Sequence, residues 1–442
     1  MSTIPRCRAR ASAAVDLVVA VLALVLLSSC VTRPQWSTYP ETLDQVSGDQ
    51  WAADLEYADA ELRARRPDPF HEGREGEYTA ILAQLVADAQ AAGASTGRQL
   101  ADDMVTGMAR LLATVGEGHT SLNASPDAYF PLVTRWFGPE GSRELRVVQA
   151  RVADAAALGD EVIAVGGLPL STALSLLDEC LSVDHPNGFA PQEPAALINP
   201  RIARGLGLAD DTGLTVTLRR PDASTYELTV PEVAAASLAL VDVWTGSQAD
   251  RDLPYHHQGE QRWYEVIGST MYVQYNSCDL DAYGFFQGIV DELGDGRIDR
   301  LVVDLRKNSG GDSRPGTWFA KAVRGIRTVN RPGGVYVLVG PRTFSSALMM
   351  AVDFMHDTEA LFAGELLAER VDLWGEVKRF VLPSSGLVIG HSTRFFAYSR
   401  GKDLRLVDGI IVPDAGLEGA ATYAEWAAGE DPAFDLVMSD AP

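Results

Sequence analysis

The last third of the chain carries short, nearly unbroken apolar runs at Met271–Tyr275, Leu301–Leu305 and Val335–Val339. Strands buried on both faces read this way, because neither face has to meet water. Between and after them, Phe285–Leu293, Trp318–Val323 and Ser346–Met355 place apolar residues at helical spacing. Alternating strands and helices demand crossover connections, so the pattern predicts an α/β fold with a mainly parallel sheet. The first third reads differently. From Trp51 to about Leu112 the spacing is helical, with Pro67, Pro69 and Gly73 dividing the segment. A third helix over 98–115 ends at Gly116 and delivers His119 just past its terminus. Between these regions, Leu145–Val148, Glu161–Val165 and Leu214–Leu218 read as short strands separated by turn signals. Residues 237–262, with His256 and His257 beside Gly and Pro, read as a linker.

Two strand-to-helix turns concentrate the candidate chemistry. The first apolar strand runs into Asp304-Leu305-Arg306-Lys307-Asn308-Ser309-Gly310-Gly311. The second runs into Gly340-Pro341-Arg342-Thr343-Phe344-Ser345-Ser346, at the mouth of an apolar helix. In open α/β sheets ligands bind beyond the carboxyl ends of the strands, so both turns face one crevice. One turn supplies glycine N–H groups and the other a hydroxyl, the parts that acyl transfer requires. Ser345 also has a bland reading as a helix cap. Asp304 and Asn308 are read as supports of their turn through side-chain to backbone bonds. Arg306 and Lys307 are read as structural or solvated.

Asp-Leu-Arg-x-Asn-x-Gly-Gly followed by Thr-Phe-Ser-Ser-Ala resembles the serine peptidases that include the C-terminal processing (tail-specific) proteases, the tricorn core and the interphotoreceptor retinoid-binding protein. Gly116-Glu117-Gly118-His119-Thr120, Tyr275-Asn276-Ser277-Cys278 and Trp374-Gly375-Glu376 resemble further segments of that family and occur in its order. The likeness covers the chain from about residue 55 onward. It implies a crotonase-like core with Ser345 as nucleophile, His119 as general base, and Gly310, Gly311 and the Ser346 N–H as the oxyanion hole. Members of the Ser-Lys branch carry a lysine some 25 residues past the nucleophile. The segment taken as its match has Glu376 instead, which implies the histidine-using branch with Glu376 as the third catalytic member. Gly364-Glu365-Leu366-Leu367-Ala368 lacks the Thr-x-Gly-Gly often found there. The resemblance also implies that Gly159–Gly167 belongs to a PDZ-like module, which would take extended peptide by strand addition.

Charge and the N-terminus place the chain. Its 442 residues carry a formal net charge of -23, which argues against nucleic acid as a partner. Arg6, Arg8 and Arg10 precede an apolar run from Leu17 to Leu27, too short for an ordinary membrane span, that ends in Leu-Ser-Ser-Cys30. This looks like a bacterial lipoprotein signal with Cys30 lipidated, anchoring the protein to the cell envelope on its periplasmic or extracellular side. Cys180 and Cys278 remain; a disulfide between them is permitted in that compartment, but they lie in different predicted domains, so two buried free thiols are expected. No His-Glu-x-x-His, Cys-x-x-Cys or Gly-x-Ser-x-Gly occurs, which counts against a zinc hydrolase and an α/β-hydrolase; no metal or cofactor is expected.

The expected organisation is a signal peptide over 1–29, a tether over 30–50 and a helical domain with the His loop over 51–135. A PDZ-like β domain follows over 140–236 and a peptidase core over 262–436. The expected activity is hydrolysis of peptide or unfolded protein. The alternative is a silent protein of the same fold that binds peptide ends or hydrophobic ligands.

Overall fold

The computed structural model describes residues 39, 42–123 and 126–439. Cys30, the signal segment and most of the tether lie outside them. Among the described residues no helix is long and apolar enough to cross a membrane.

Three helices open the fold: α1 (Gly48–Arg65), α2 (Glu75–Ala92) and α3 (Arg98–Ala113). Ser47 and Gln50 form a capping box at the start of α1, and Trp51, Leu55, Ala58 and Leu62 bury one face of it. After α3 the chain reverses at Gly116, whose φ of 76° suits glycine. The strand Ser121–Asn123 then pairs antiparallel with Val388–His391, which pairs with Lys378–Val381. This pairing ties the His119 loop, from the first third of the sequence, to the C-terminal region. Asp54 of α1 adds a second tie, accepting the N–H groups of Ser384 and Ser385 at 2.8 Å each.

Residues 132–242 form an antiparallel sheet, with strands Leu132–Phe137, Glu144–Ala150, Glu161–Val165, Gly213–Arg219 and Thr225–Val230 at its centre. Three short helices, Leu170–Asp178, Phe189–Leu197 and Pro200–Gly205, interrupt it. The buried faces of this sheet, of α1–α3 and of the 380–389 hairpin share one hydrophobic core. The stretch read as a linker is packed: Val241–Asp242 pairs with Glu144–Ala150, and Leu253 and Tyr255 are buried.

The second core lies around a five-stranded sheet: β1 (Arg262–Ile267), β2 (Thr270–Tyr275), β3 (Arg300–Asp304), β4 (Val335–Val339) and β5 (Leu361–Gly364). They lie in that order; β1 is antiparallel to β2 and the rest are parallel. Met271, Val273, Leu301, Val303, Val335 and Val337 face helices α4 (Ala282–Gly294), α5 (Arg314–Arg324) and α6 (Ser346–Asp357). Tyr272, Val302, Tyr336 and Leu338 face the other side, against Trp263 and Phe434. Both faces of β2, β3 and β4 are covered, which is why these strands are nearly unbroken apolar runs.

The permitted disulfide does not form, and the two thiols are buried as expected. Cys180 and Cys278 are both free and buried, one in each core. Cys180 Sγ is 3.9 Å from the Thr106 carbonyl, and Cys278 Sγ donates to Asn308 Oδ1 at 3.4 Å.

One buried pair in the first core gives the fold a pH dependence. Glu193 accepts the Trp136 Nε1–H at 2.7 Å. Burial, reinforced by the Asp178 charge, raises the Glu193 carboxyl to about 7, and burial raises Asp178 to about 6. A carboxyl whose folded pKa exceeds its unfolded value holds its proton more tightly in the native state. Stability therefore falls as pH rises from about 4 towards 7, and the penalty is complete above 7. Glu193→Gln keeps an acceptor for Trp136 without the charge. It should raise the melting temperature at pH 8 and leave it nearly unchanged at pH 4; equal shifts at both pH values would refute this account.

Candidate active site

The turn after β3 is held from inside. Asp304 accepts the Arg306 N–H at 3.0 Å, its Nη2 at 2.6 Å and the Tyr272 hydroxyl at 2.7 Å. Burial alone would raise the Asp304 carboxyl, but the Arg306 charge and hydrogen bonds, with the Tyr272 hydroxyl, outweigh it and hold the carboxyl below the usual range. Arg306 also reaches Asp431 at 2.8 Å. Asn308 donates to the Tyr275 carbonyl at 2.9 Å and accepts the Gly310 N–H at 2.9 Å. The Gly310 N–H is thus engaged by the turn's own side chain, and its assignment to the oxyanion hole is corrected. The N–H groups of Gly311 and Ser346 have no acceptor among the described residues. Gly310 and Gly311 sit at φ 104° and 135°, where side chains are strained. Lys307 donates to the Pro254 carbonyl at 3.1 Å, and burial lowers its ammonium to about 8.

The turn after β4 crosses over the first. Thr343 Oγ1 donates to the Leu305 carbonyl at 3.0 Å, and the Phe344 N–H donates to the Asn308 carbonyl at 3.1 Å. These bonds fix Ser345 at φ 55°, ψ -121°. A non-glycine residue there stores on the order of 1–3 kcal/mol of strain, and such residues cluster at functional sites. The same sharp strand-to-helix elbow exposes the nucleophile in α/β-hydrolases, although Gly-x-Ser-x-Gly is absent here. The Ser345 hydroxyl makes no capping bond to α6, so its reading as a helix cap fails.

Ser345, His119 and a third residue, Glu369, come together. Glu369 Oε2 accepts the Ser345 N–H, and Glu369 Oε1 lies 3.4 Å from His119 Nδ1. The imidazole stacks on Phe344, next to the serine, with ring centres 4.5 Å apart. Glu117 Oε2 accepts the His119 N–H at 2.7 Å, and its other oxygen takes the Thr120 and Ser392 hydroxyls. Gly118 donates its N–H to Asp184 Oδ2 at 2.9 Å; a Cβ at Gly118 would stand 2.7 Å from that oxygen. Neither ring nitrogen of His119 has a hydrogen-bond partner among the described residues. Burial lowers the pKa of His119 against the pull of Glu117, so the imidazole is neutral at neutral pH. Burial, then the Asp184 charge, raises Glu369 well above the carboxylate range, and burial with Glu117 raises Asp184 to about 7.

Glu376 is corrected as the third member. It is exposed at φ 55°, with its carboxylate 3.9 Å from Arg394. Glu369 and Asp184 were missed. Spacing was the available signal for Glu369, because position 369 falls closer than 376 to the 25-residue separation cited for the lysine of the Ser-Lys branch. Asp184 gave no signal, being one aspartate in a polar loop. His119, Asp184 and Glu369 each offer a ligand atom within 4.8 Å of the others. Asp184 also borders a cavity of about 270 Å³ lined by Glu72, Arg74, Gly116, Asp178 and Arg370.

No family model and no curated protein matches the chain. Among solved structures it is similar to mature CPAF complexed with lactacystin, at 12% identity over 89% of this chain and 99% of that one, with a TM-score of 0.57. Mature CPAF alone gives 13% identity over 88% and 96%, at the same TM-score of 0.57. The photosystem II D1 C-terminal processing protease gives 16% identity over 84% and 92%, with a TM-score of 0.37. The likeness to CPAF establishes a shared fold across nearly the whole of both chains.

Proposed function

We propose that this chain is a cofactor-independent serine endopeptidase of the kind its motifs resemble, acting on peptides or unfolded segments. The observation that carries this reading is Ser345: a strained elbow serine with an uncommitted hydroxyl, joined through one carboxyl group to a neutral buried histidine. Ser345 Oγ attacks the scissile carbonyl while His119 Nε2 takes its proton; Nδ1 faces Glu369 and Glu117. The Gly311 and Ser346 N–H groups receive the oxyanion, a contribution of about 3–4 kcal/mol where one such donor has been removed. The imidazolium that forms is stabilised by the acidic groups around it. It then protonates the leaving amine, and water hydrolyses the acyl-enzyme. In this reading the parallel sheet is the crotonase-like core and the antiparallel sheet the PDZ-like module. Cys30 anchors the enzyme in the bacterial envelope.

A second reading, a binding protein of the same fold without turnover, draws on the missing Ser345–His119 hydrogen bond. Catalytic hydrogen bonds are often long in unliganded enzymes and tighten on substrate, so this observation alone does not decide. A fluorophosphonate probe separates the readings. It should label wild-type protein at Ser345 and leave Ser345→Ala unlabelled, whereas an unlabelled wild type would exclude an activated hydroxyl.

A further inference from the structure

Glu117, Asp184 and Glu369 converge on His119 in a buried site with little positive charge. Arg66 Nε lies 3.7 Å from Glu117, and Arg370 donates to the backbone carbonyl of Asp184. Buried carboxylates require a proton, a cation or several donors. The His119 side chain is 8% exposed with both nitrogens unpartnered, and Glu369 is fully buried with Oε1 unpartnered. We infer that His119, Asp184 and Glu369 form a Zn²⁺ site through which the metal inhibits the enzyme.

The chemistry of the donors selects the ion. One imidazole and two carboxylates, with a fourth position open, is a ligand set zinc accepts, and imidazole disfavours calcium and magnesium. Zinc needs its ligand atoms roughly 3.4 Å apart at usual bond lengths. The three atoms here lie within 4.8 Å of one another, so side-chain rotations close the site. Two of the ligands are already oriented from behind: Gly118 N–H holds Asp184 and Ser345 N–H holds Glu369. Such outer contacts are what fix a metal ligand's geometry. Zinc on Nδ1, the nitrogen that faces Glu369, keeps the imidazole's proton on Nε2, so His119 cannot take the serine proton and loading stops hydrolysis. The inhibitory part rests on His119 being the base; the binding part does not.

The full chain, stripped with chelator, is titrated with Zn²⁺ in competition with a chromophoric chelator, in parallel with Ser345→Ala. One equivalent should bind to both with similar affinity, and the His119 imidazole NMR signals should shift in step with occupancy. Asp184→Asn and Glu369→Gln, each close in shape to the original, should weaken binding at least about tenfold. Peptide hydrolysis should fall in proportion to occupancy and return on adding chelator. Absence of binding, unmoved His119 signals, binding unaffected by both substitutions, or undiminished hydrolysis by the loaded enzyme would each overturn the inference. If the chain hydrolyses no peptide, the titration and the NMR signals still decide whether the site exists.

Discussion

Replacing Ser345 with alanine should lower kcat about 10³- to 10⁶-fold on a fluorogenic peptide, and His119→Ala should lower it by a similar factor. The two act as one unit, so the double variant should be no slower than the worse single one. A residue that merely shaped the pocket would instead raise KM and leave kcat largely in place. The strain at Ser345 makes a further demand. Alanine at φ 55° is as unfavourable as serine, so Ser345→Ala should melt within a degree or two of wild type. Ser345→Gly relieves the strain and should be stabilised by about 1 kcal/mol while remaining inactive. A serine held there for packing alone would show the opposite: stability lost and activity kept. Glu376→Gln is the control. Its carboxylate is exposed and 3.9 Å from Arg394, so kcat should stay within about twofold of wild type, as for ordinary surface substitutions.

What could be read from sequence depended on how local each feature is. The runs at β2, β3 and β4 were legible because burial of both sheet faces writes itself as consecutive apolar residues. The glycine turn was legible because asparagine, serine and two glycines stand together at 308–311. The helices at 170–178, 189–197 and 200–205 were not, being six to nine residues long with Pro194 inside one and Pro200 opening another. Glu369 was lost to a local likeness: Trp374-Gly375-Glu376 matched a short pattern, while the position that meets the imidazole is set by the fold around β5. Asp184 joins the site through the Gly118 N–H, across 66 positions of sequence. Such convergence is a property of tertiary structure, and no periodicity records it. The separate placement of Cys180 and Cys278 was legible, by contrast, because the domain division alone sets them apart although parity and compartment permit a bridge.

Gly311→Ala should damage both activity and fold, lowering kcat at least about 10²-fold and destabilising the protein by a few kcal/mol. A Cβ at this position collides with the carbonyl oxygen of Cys278 and stands 3.2 Å from the Cys278 Cβ. The carbonyl cannot yield freely, because it accepts the Asp312 N–H at 2.8 Å, while the Cys278 N–H is spent on the Gly310 carbonyl at 3.0 Å. The φ of 135° adds a conformational penalty that no rotamer relieves. The Gly311 carbonyl accepts the Ser346 hydroxyl at 2.7 Å, so displacement of the turn also shifts the start of α6 and the second oxyanion donor. Gly284→Ala provides the contrast: it lies exposed in α4 with no atom near its would-be Cβ, and should gain about 0.5–1 kcal/mol from helix propensity. Thermal melts and single-turnover acylation of both variants test the account together. A Gly311→Ala protein that acylates at the wild-type rate would show that this turn does not hold the oxyanion, however sound the rest of the site.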